Sequence, residues 1–410
     1  MSTPSQESHV AIIGGGFSGI LTAVNLVRLS RRPLRISLIN HARPAGRGIA
    51  YGTRRPEHLL NVAARNMSAF PDWPDHFVRW LRTRSEYDSV PDHELREKFI
   101  PRMTYGDYLR GLIHHFLQSD GVGQAPVTFD LIEGEACDLE PTEAGLTVRL
   151  SDGRGLSVDR VVLATGNEPP MGLPGAEALS DHPGWVGNPW SDWERNLPES
   201  TGTIILLGTG LTTVDAIITL RALGWLGTMH AVSRHGWLPH AHFRGVDYAE
   251  FPPAGVDLAS LGLEPLIELM EKHCQILREA GHNPAIIVDK MRPHTQRIWH
   301  EFSLEERHTF ARDHAARWNV LRHRIAPEIH AQVAGSQITG QLRVHSAMIE
   351  RVEAAGDRIR VCLDDGKELE GDLVINATGP QTRFTATRSG FLQNLLHRGL
   401  VSPDDMDMGI

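Results

Sequence analysis

The hydrophobic and polar positions of this chain form one composite pattern that occurs twice. His9-Val10-Ala11-Ile12-Ile13 is an apolar run that breaks into Gly14-Gly15-Gly16-Phe17-Ser18-Gly19 and then into a helical pattern. Thr203-Ile204-Ile205-Leu206-Leu207 does the same, breaking into Gly208-Thr209-Gly210-Leu211-Thr212-Thr213. Each reads as strand, tight turn and helix, followed by another strand at Arg35-Ile36-Ser37-Leu38-Ile39-Asn40 or at Met229-His230-Ala231-Val232. Far downstream of each turn, a further apolar strand ends in Ala-Thr-Gly. These are Val161-Val162-Leu163-Ala164-Thr165-Gly166 and Leu373-Val374-Ile375-Asn376-Ala377-Thr378-Gly379.

One glycine-rich turn between a strand and a helix is weak evidence, but a pair of them implies two dinucleotide sites. In the first, Gly14 permits the bend, Gly16 lets backbone amides approach a pyrophosphate, and Gly19 allows close helix packing. The helix N-terminus adds positive potential. A ribose-binding acid is expected about 20 residues further on, and Asn40 stands there, able to bond a ribose hydroxyl without a charge. In the second turn Thr213 replaces the third glycine and is expected to hold its helix slightly farther from the strand. The strand after it ends in Ser233-Arg234 with no acid, and an Arg at this place accepts the 2′-phosphate of NADP. A flavin site and an NADPH site are therefore expected in one protein.

Between these motifs, the pattern from Ala42 to about Gly123 is irregular and rich in Pro, Trp and Arg, with helical stretches near His76 to Arg84 and Tyr105 to Leu117. It reads as an insertion covering part of the nucleotide. Val127 to Leu163 alternates apolar and polar residues around a turn at Asp152-Gly153, as an antiparallel meander does. The same plan recurs from Leu342-Arg343-Val344 through Asp365-Gly366, so the meander is duplicated too. Asp257 to Ile329 reads as helical, with Leu266, Met270, Cys274 and Leu277 on one stripe ending at Gly281 and a capping box at Ser303-Leu304-Glu305-Glu306. The expected fold is α/β, with two dinucleotide-binding Rossmann-like domains, mostly parallel three-layer sheets with antiparallel meander crossovers, and helical insertions. The expected divisions are an FAD-binding domain over residues 1–200, an NADPH-binding domain with its helical portion over 201–335, and a return to the FAD-binding domain over 336–410.

Composition narrows the partners. A net charge of -9 with no basic stretch argues against nucleic acid. The longest apolar stretch, Val10 to Val27, is broken by glycines and does not suit a membrane span. The polar N-terminus lacks the basic flank of a signal or transit peptide, so a cytoplasmic location is expected. Cys137, Cys274 and Cys362 are far apart and exclude the local dithiol used by many disulfide reductases. The 22 histidines include His240, His242, His308 and His314, but none has metal-binding spacing, and no metal site is expected.

Gly46-Arg47-Gly48-Ile49-Ala50-Tyr51-Gly52, Leu59-Leu60-Asn61-Val62, Trp73-Pro74-Asp75-His76-Phe77, Tyr105-Gly106-Asp107-Tyr108-Leu109, Ser233-Arg234-His235-Gly236-Trp237-Leu238-Pro239 and Arg322-His323-Arg324-Ile325-Ala326-Pro327 carry a wider likeness. On these strings the chain resembles the bacterial FAD/NAD(P)-binding proteins of the YdhS-like group and, more distantly, the class B flavin monooxygenases. The resemblance adds Arg47, Gly48, Tyr51 and Asn61 to a cofactor set that comprises Gly14, Gly16, Phe17, Ser18, Gly19, Asn40, Ala164, Thr165 and Gly166 in the first fold. In the second fold the set is Gly208, Gly210, Leu211, Thr212, Ser233, Arg234, Thr378 and Gly379. Members of the group continue to a last strand whose Gly-Asp end contacts the flavin. Here the sequence stops at Ile410 before such an element, and loose FAD retention is expected.

The expected activity is that of an FAD-dependent, NADPH-using oxidoreductase, a monooxygenase of a small molecule. The alternatives are a flavin reductase or electron-transfer protein without oxygen insertion, and a nucleotide-binding protein without turnover. No catalytic acid, base or nucleophile is named by the sequence.

Overall fold

The computed structural model describes residues 7–41, 44–117, 125–243 and 248–410. The N-terminal stretch up to Gln6 and the limits Ala42 and Gly123 of the insertion lie outside the described residues. The chain divides into two compact units, one of residues up to Glu168 with Pro380–Ser402 and Ile410, the other of Pro169–Gly379 with Pro403–Gly409.

In the first unit, β1 (Ser8–Ile13), β2 (Leu34–Asn40) and β3 (Val127–Glu133) are followed by a meander of β4 (Ala136–Thr142), β5 (Gly145–Leu150) and β6 (Gly155–Val158), then by β7 (Arg160–Leu163). The main sheet is parallel in the order β3-β2-β1-β7. Side chains of β1 alternate between faces. Val10 and Ile12 join a core with the helix Phe17–Leu29 and the insertion, while Ala11 and Ile13 join one with the meander and the helix Gly390–His397. A helix layer, a sheet and a meander layer result.

The second unit repeats the plan. β8 (Trp185–Val186), β9 (Thr203–Leu207), β10 (Thr228–Ser233) and β11 (Leu342–Ser346) precede a meander of β12 (Ile349–Ala355), β13 (Arg358–Leu363) and β14 (Glu368–Gly371), and β15 (Leu373–Asn376) closes the series. The sheet is parallel in the order β11-β10-β9-β15-β8. Val352, Ile359, Val361 and Leu363 of the meander pack on Ile205, Leu207 and Val374 of that sheet. Helices from Leu263 to Ile338 form most of the remainder, with Leu266, Cys274 and Leu277 buried in one core and the capping box at Ser303 and Glu306 formed.

Two expectations change. β3 and β11 open the regions read as meanders, yet each pairs in parallel with the preceding Rossmann strand, Leu34 with Val127 and Met229 with Leu342. Both are edge strands, and their half-exposed faces give the alternation that an antiparallel hairpin also gives. The divisions also differ from those at 200 and 335. Residues 169–200 contribute β8 beside β15 and a backbone bond from Val352 N to Pro174 O of 2.9 Å. Residues 336–379 complete the second sheet, and only Pro380–Ser402 and Ile410 return to the first unit. There Glu168 accepts from Thr387 Oγ1 and from Arg388 N, and bridges to Gln381.

Candidate functional site

Register brings the first glycine turn, Asn40 and Ala164-Thr165-Gly166 to one edge of the first sheet. Ile13 is level with Ile39 on one side and with Leu163 on the other, so all three strands finish together at their carboxyl ends. In parallel α/β sheets this edge is where ligands bind. The three glycines of the turn have different physical reasons. Gly14 has φ +110°, and a Cβ there would lie 2.1 Å from Ala164 O, so the Ala-Thr-Gly strand fixes this position as glycine. A Cβ on Gly19 would lie 1.9 Å from Gly14 O, which sets how closely the helix rides on the turn. At Gly16 the nearest atom would be Gly48 Cα at 3.8 Å. Nothing in the fold forbids a side chain there.

That open position is the N-cap of the helix Phe17–Leu29, and neither a capping side chain nor an acidic residue in the first turn competes for its amides. A pyrophosphate fits this cradle, since the amides and the helix dipole attract an anion where the missing Cβ leaves room. Phe17 is 38% exposed and Ser18 is exposed beside it. Asn40 occupies the expected place at the end of β2, where its Oδ1 accepts from Gly15 N at 3.1 Å. Its carbonyl thus buttresses the turn. Thr165 and Gly166 are exposed at the end of the Ala-Thr-Gly strand, with Gly166 at φ +76°.

The second turn repeats this arrangement. Gly208 has φ +124°, and a Cβ there would lie 2.3 Å from Ala377 O, whereas a Cβ on Gly210 would meet nothing within 4 Å. Gly210 caps the helix Leu211–Ala222, again without a capping side chain or first-turn acid. The difference lies at Thr213, buried, whose Oγ1 donates to Gly208 O at 2.8 Å. Where Gly19 leaves no space for a Cβ against Gly14 O, Thr213 interposes a hydroxyl. Ser233 Oγ shares a hydrogen bond of 2.8 Å with Thr209 Oγ1 and accepts from Gly236 N at 3.0 Å, so it ties the turn to the end of β10. Arg234 beside it is exposed, and no ion pair engages it among the described residues. Thr378 donates from Oγ1 to the Oδ1 of buried Asn376 at 2.7 Å, and Gly379 follows at φ +100°.

The insertion braces the first turn. Gly46 N donates to Gly15 O at 2.8 Å, and the Gly46–Tyr51 segment is held by Arg47, which pairs with Asp107 Oδ1 at 2.5 Å and donates to Met103 O at 3.3 Å. Gly106 lets the segments touch, because a Cβ there would lie 2.7 Å from Tyr51 O. Tyr51 packs against Tyr105 with centroids 4.6 Å apart and against Phe17 at 6.2 Å. Burial pushes the Tyr51 and Tyr105 phenols up, and that of Tyr108 to about 12, so all three stay neutral. Asn61 lies away from these groups in sequence and accepts from Arg102 at 3.3 Å. Arg47, Tyr51 and Asn61 thus carry internal contacts, and Asp107 and Gly106, which sequence reading did not single out as site residues, are what hold Arg47 in place.

None of the described helices is long and apolar enough to cross a membrane. Cys137, Cys274 and Cys362 are all free, and burial pushes the Cys274 and Cys362 thiols up.

Residues 11–168 match a family model described as FAD-NAD(P)-binding. No curated protein matches the chain in sequence. Among solved structures, the ornithine N-hydroxylase of Kutzneria sp. 744, in complex with reduced FAD, NADP+ and L-ornithine, is similar with a TM-score of 0.59 and 16% identity over 92% of this chain and 81% of its own. The reduced ornithine hydroxylase of Pseudomonas aeruginosa gives 0.59 and 16% over 95% and 86%. The FAD-bound cadaverine monooxygenase of Erwinia amylovora gives 0.60 and 12% over 97% and 82%. The chain therefore has the dinucleotide-binding fold of these flavoprotein monooxygenases, and its residues 11–168 carry the pattern of the FAD-NAD(P)-binding family.

Proposed function

We propose that the protein is an FAD-dependent, NADPH-using oxidoreductase that oxygenates a small molecule, of the YdhS-like kind that its sequence resembles. The observation that carries this reading is the duplicated turn, in which the first glycine is fixed by the Ala-Thr-Gly carbonyl while the middle glycine has room for a side chain, with only an ordinary 3.8 Å contact at Gly16 and nothing within 4 Å at Gly210. Gly14, Gly16, Phe17, Ser18, Gly19, Asn40, Gly48, Thr165 and Gly166 would hold FAD, with Arg47, Tyr51 and Asn61 keeping the covering segment in position. Gly208, Gly210, Leu211, Thr212, Ser233, Arg234, Thr378 and Gly379 would hold NADPH. Held by these residues, FAD would supply the redox chemistry, taking hydride from NADPH and enabling oxygen transfer from dioxygen to a nucleophilic nitrogen or sulfur.

The chain's own contribution is to bind and orient. Uncapped amides at Gly16 and Gly210 meet the pyrophosphates. The Arg234 guanidinium meets the 2′-phosphate that distinguishes NADPH. The neutral aromatic surface of Phe17, Tyr51 and Tyr105 excludes water beside the first turn. Free cysteines suit a reducing cytoplasm. The test is NADPH oxidation by FAD-supplemented protein with and without primary amines and thioethers, scored for peroxide and for product containing oxygen from labelled dioxygen. Labelled product supports the proposal; peroxide alone with every candidate would favour the flavin reductase reading.

A further inference from the structure

The helical portion of the second unit holds a half-open, mostly apolar pocket of about 260 Å³ that the dinucleotide turns do not use. Leu266, Met270 and Cys274 line it from the helix Leu263–Glu279, and Ile298 from the helix Thr295–Glu301. Small-molecule sites are typically concave and mostly apolar, with a few polar groups that set orientation. A concave apolar wall of this size, left open on one side, is a feature to be explained.

Two further observations point to a ligand. First, the helices Leu304–Thr309 and Ala315–Arg322 are joined by a π-helical turn, Phe310–His314, and both ends of that turn line the cavity. Such turns are rare, weaken the helical ladder and recur at functional sites. Second, the wall is aromatic. Trp299 meets Phe302 at 6.4 Å and Phe310 at 5.9 Å, and Phe310 meets Trp318 at 6.3 Å, all near edge-to-face. Polar groups are few. Glu271 and Arg317 are half exposed and pair with each other at 2.6 Å, and His314 and Thr295 are the other polar residues of the lining.

We infer that this cavity binds a small, uncharged aromatic or alicyclic molecule carrying a single hydroxyl or amino group. Its size follows by proportion: an apolar cavity of about 150 Å³ holds benzene, so this one holds on the order of ten carbon atoms. A full charge is disfavoured, because the lining is mostly apolar and its one ion pair, Glu271–Arg317, already neutralises itself. The few polar groups suit one hydrogen bond that sets orientation.

1-Naphthol, with ten carbons and one hydroxyl, is the probe. Calorimetric titration of the whole chain, with FAD and NADPH present, is expected to give saturable one-to-one binding and a raised unfolding temperature. Met270→Trp fills the cavity from one side and Thr295→Phe from another; each is expected to weaken binding about tenfold or more while unfolding cooperatively. The two variants guard against one failing to fold. Absence of saturable binding by the unaltered protein, or affinity in both folded variants equal to it, would overturn the inference. So would equally tight binding of 1-naphthalenesulfonate, which carries a full charge.

Discussion

Gly14 and Gly16 stand two residues apart in one turn, yet replacing each with alanine should have opposite consequences. At Gly14 the new Cβ falls 2.1 Å from Ala164 O at φ +110°. Backbone strain of about 1–3 kcal/mol adds to overpacking of about 1–3 kcal/mol, so Gly14→Ala should lose about 2–6 kcal/mol of stability, a large share of the 5–15 kcal/mol typical of a folded domain. At Gly16 the Cβ meets only Gly48 Cα at 3.8 Å, an ordinary contact. Gly16→Ala should leave the flavin-free protein within about 1 kcal/mol of the original, while its methyl group fills the side from which a pyrophosphate approaches. Urea unfolding followed by circular dichroism, in flavin-free protein, measures the first quantity; flavin absorbance after equilibration with FAD measures the second. The expected result is an unstable Gly14→Ala and a stable Gly16→Ala that takes up little flavin. Full FAD occupancy in a stable Gly16→Ala would refute the reasoning, because the open side of the turn would then not be the pyrophosphate site.

The second turn and its supports give further expectations. Arg234→Ala should weaken NADPH by about 1.5–3 kcal/mol, roughly 10- to 150-fold, if its bond to the 2′-phosphate is charge-assisted, with NADH nearly unaffected; comparing both dissociation constants checks it, and equal losses would sink the assignment. Asp107→Asn leaves the partly buried Arg47 guanidinium without its carboxylate, and should cost about 1–2 kcal/mol in urea unfolding and lower FAD affinity with it. His230 is pushed down to about 4 by burial, with His345 beside it adding to the effect. The unfolded chain takes up this proton near 6.5 and the folded chain only near 4, so the associated stability is present above 6.5 and lost as pH falls through that window. Unfolding temperatures should drop more steeply from pH 7 to pH 5 in the original protein than in His230→Gln; parallel curves would contradict this.

The local parts of the fold were legible in the sequence because their causes are local. A glycine turn after an apolar run announces itself, and so does the Ala-Thr-Gly strand end, but the reason they occur together was hidden. Ala164 O and Ala377 O sit where Gly14 and Gly208 would carry a Cβ, contacts across 150 and 169 residues that no local pattern encodes. The same distance hid the partner of Arg47, since Asp107 lies sixty residues away. Asn40 stands at the end of β2 as the sequence predicts, yet its side-chain carbonyl accepts from Gly15 N, a role that composition at one position cannot reveal. Edge strands β3 and β11 misled because a parallel strand with one half-exposed face alternates like a hairpin strand. The division of the chain followed from strand pairing, which places β15 beside β9 and sends only Pro380–Ser402 and Ile410 back.

The central claim is that two like turns hold two different dinucleotides, one reducing the other. Anaerobic addition of NADPH to protein equilibrated with excess FAD, followed by flavin absorbance near 450 nm, tests it most directly. Bleaching is predicted for the original protein, with Gly210→Ala bleached by dithionite but only slowly by NADPH, since its Cβ would intrude on the open side of the second turn. Flavin that stays oxidised in the original protein at saturating NADPH, or bleaching unchanged in Gly210→Ala, would contradict it.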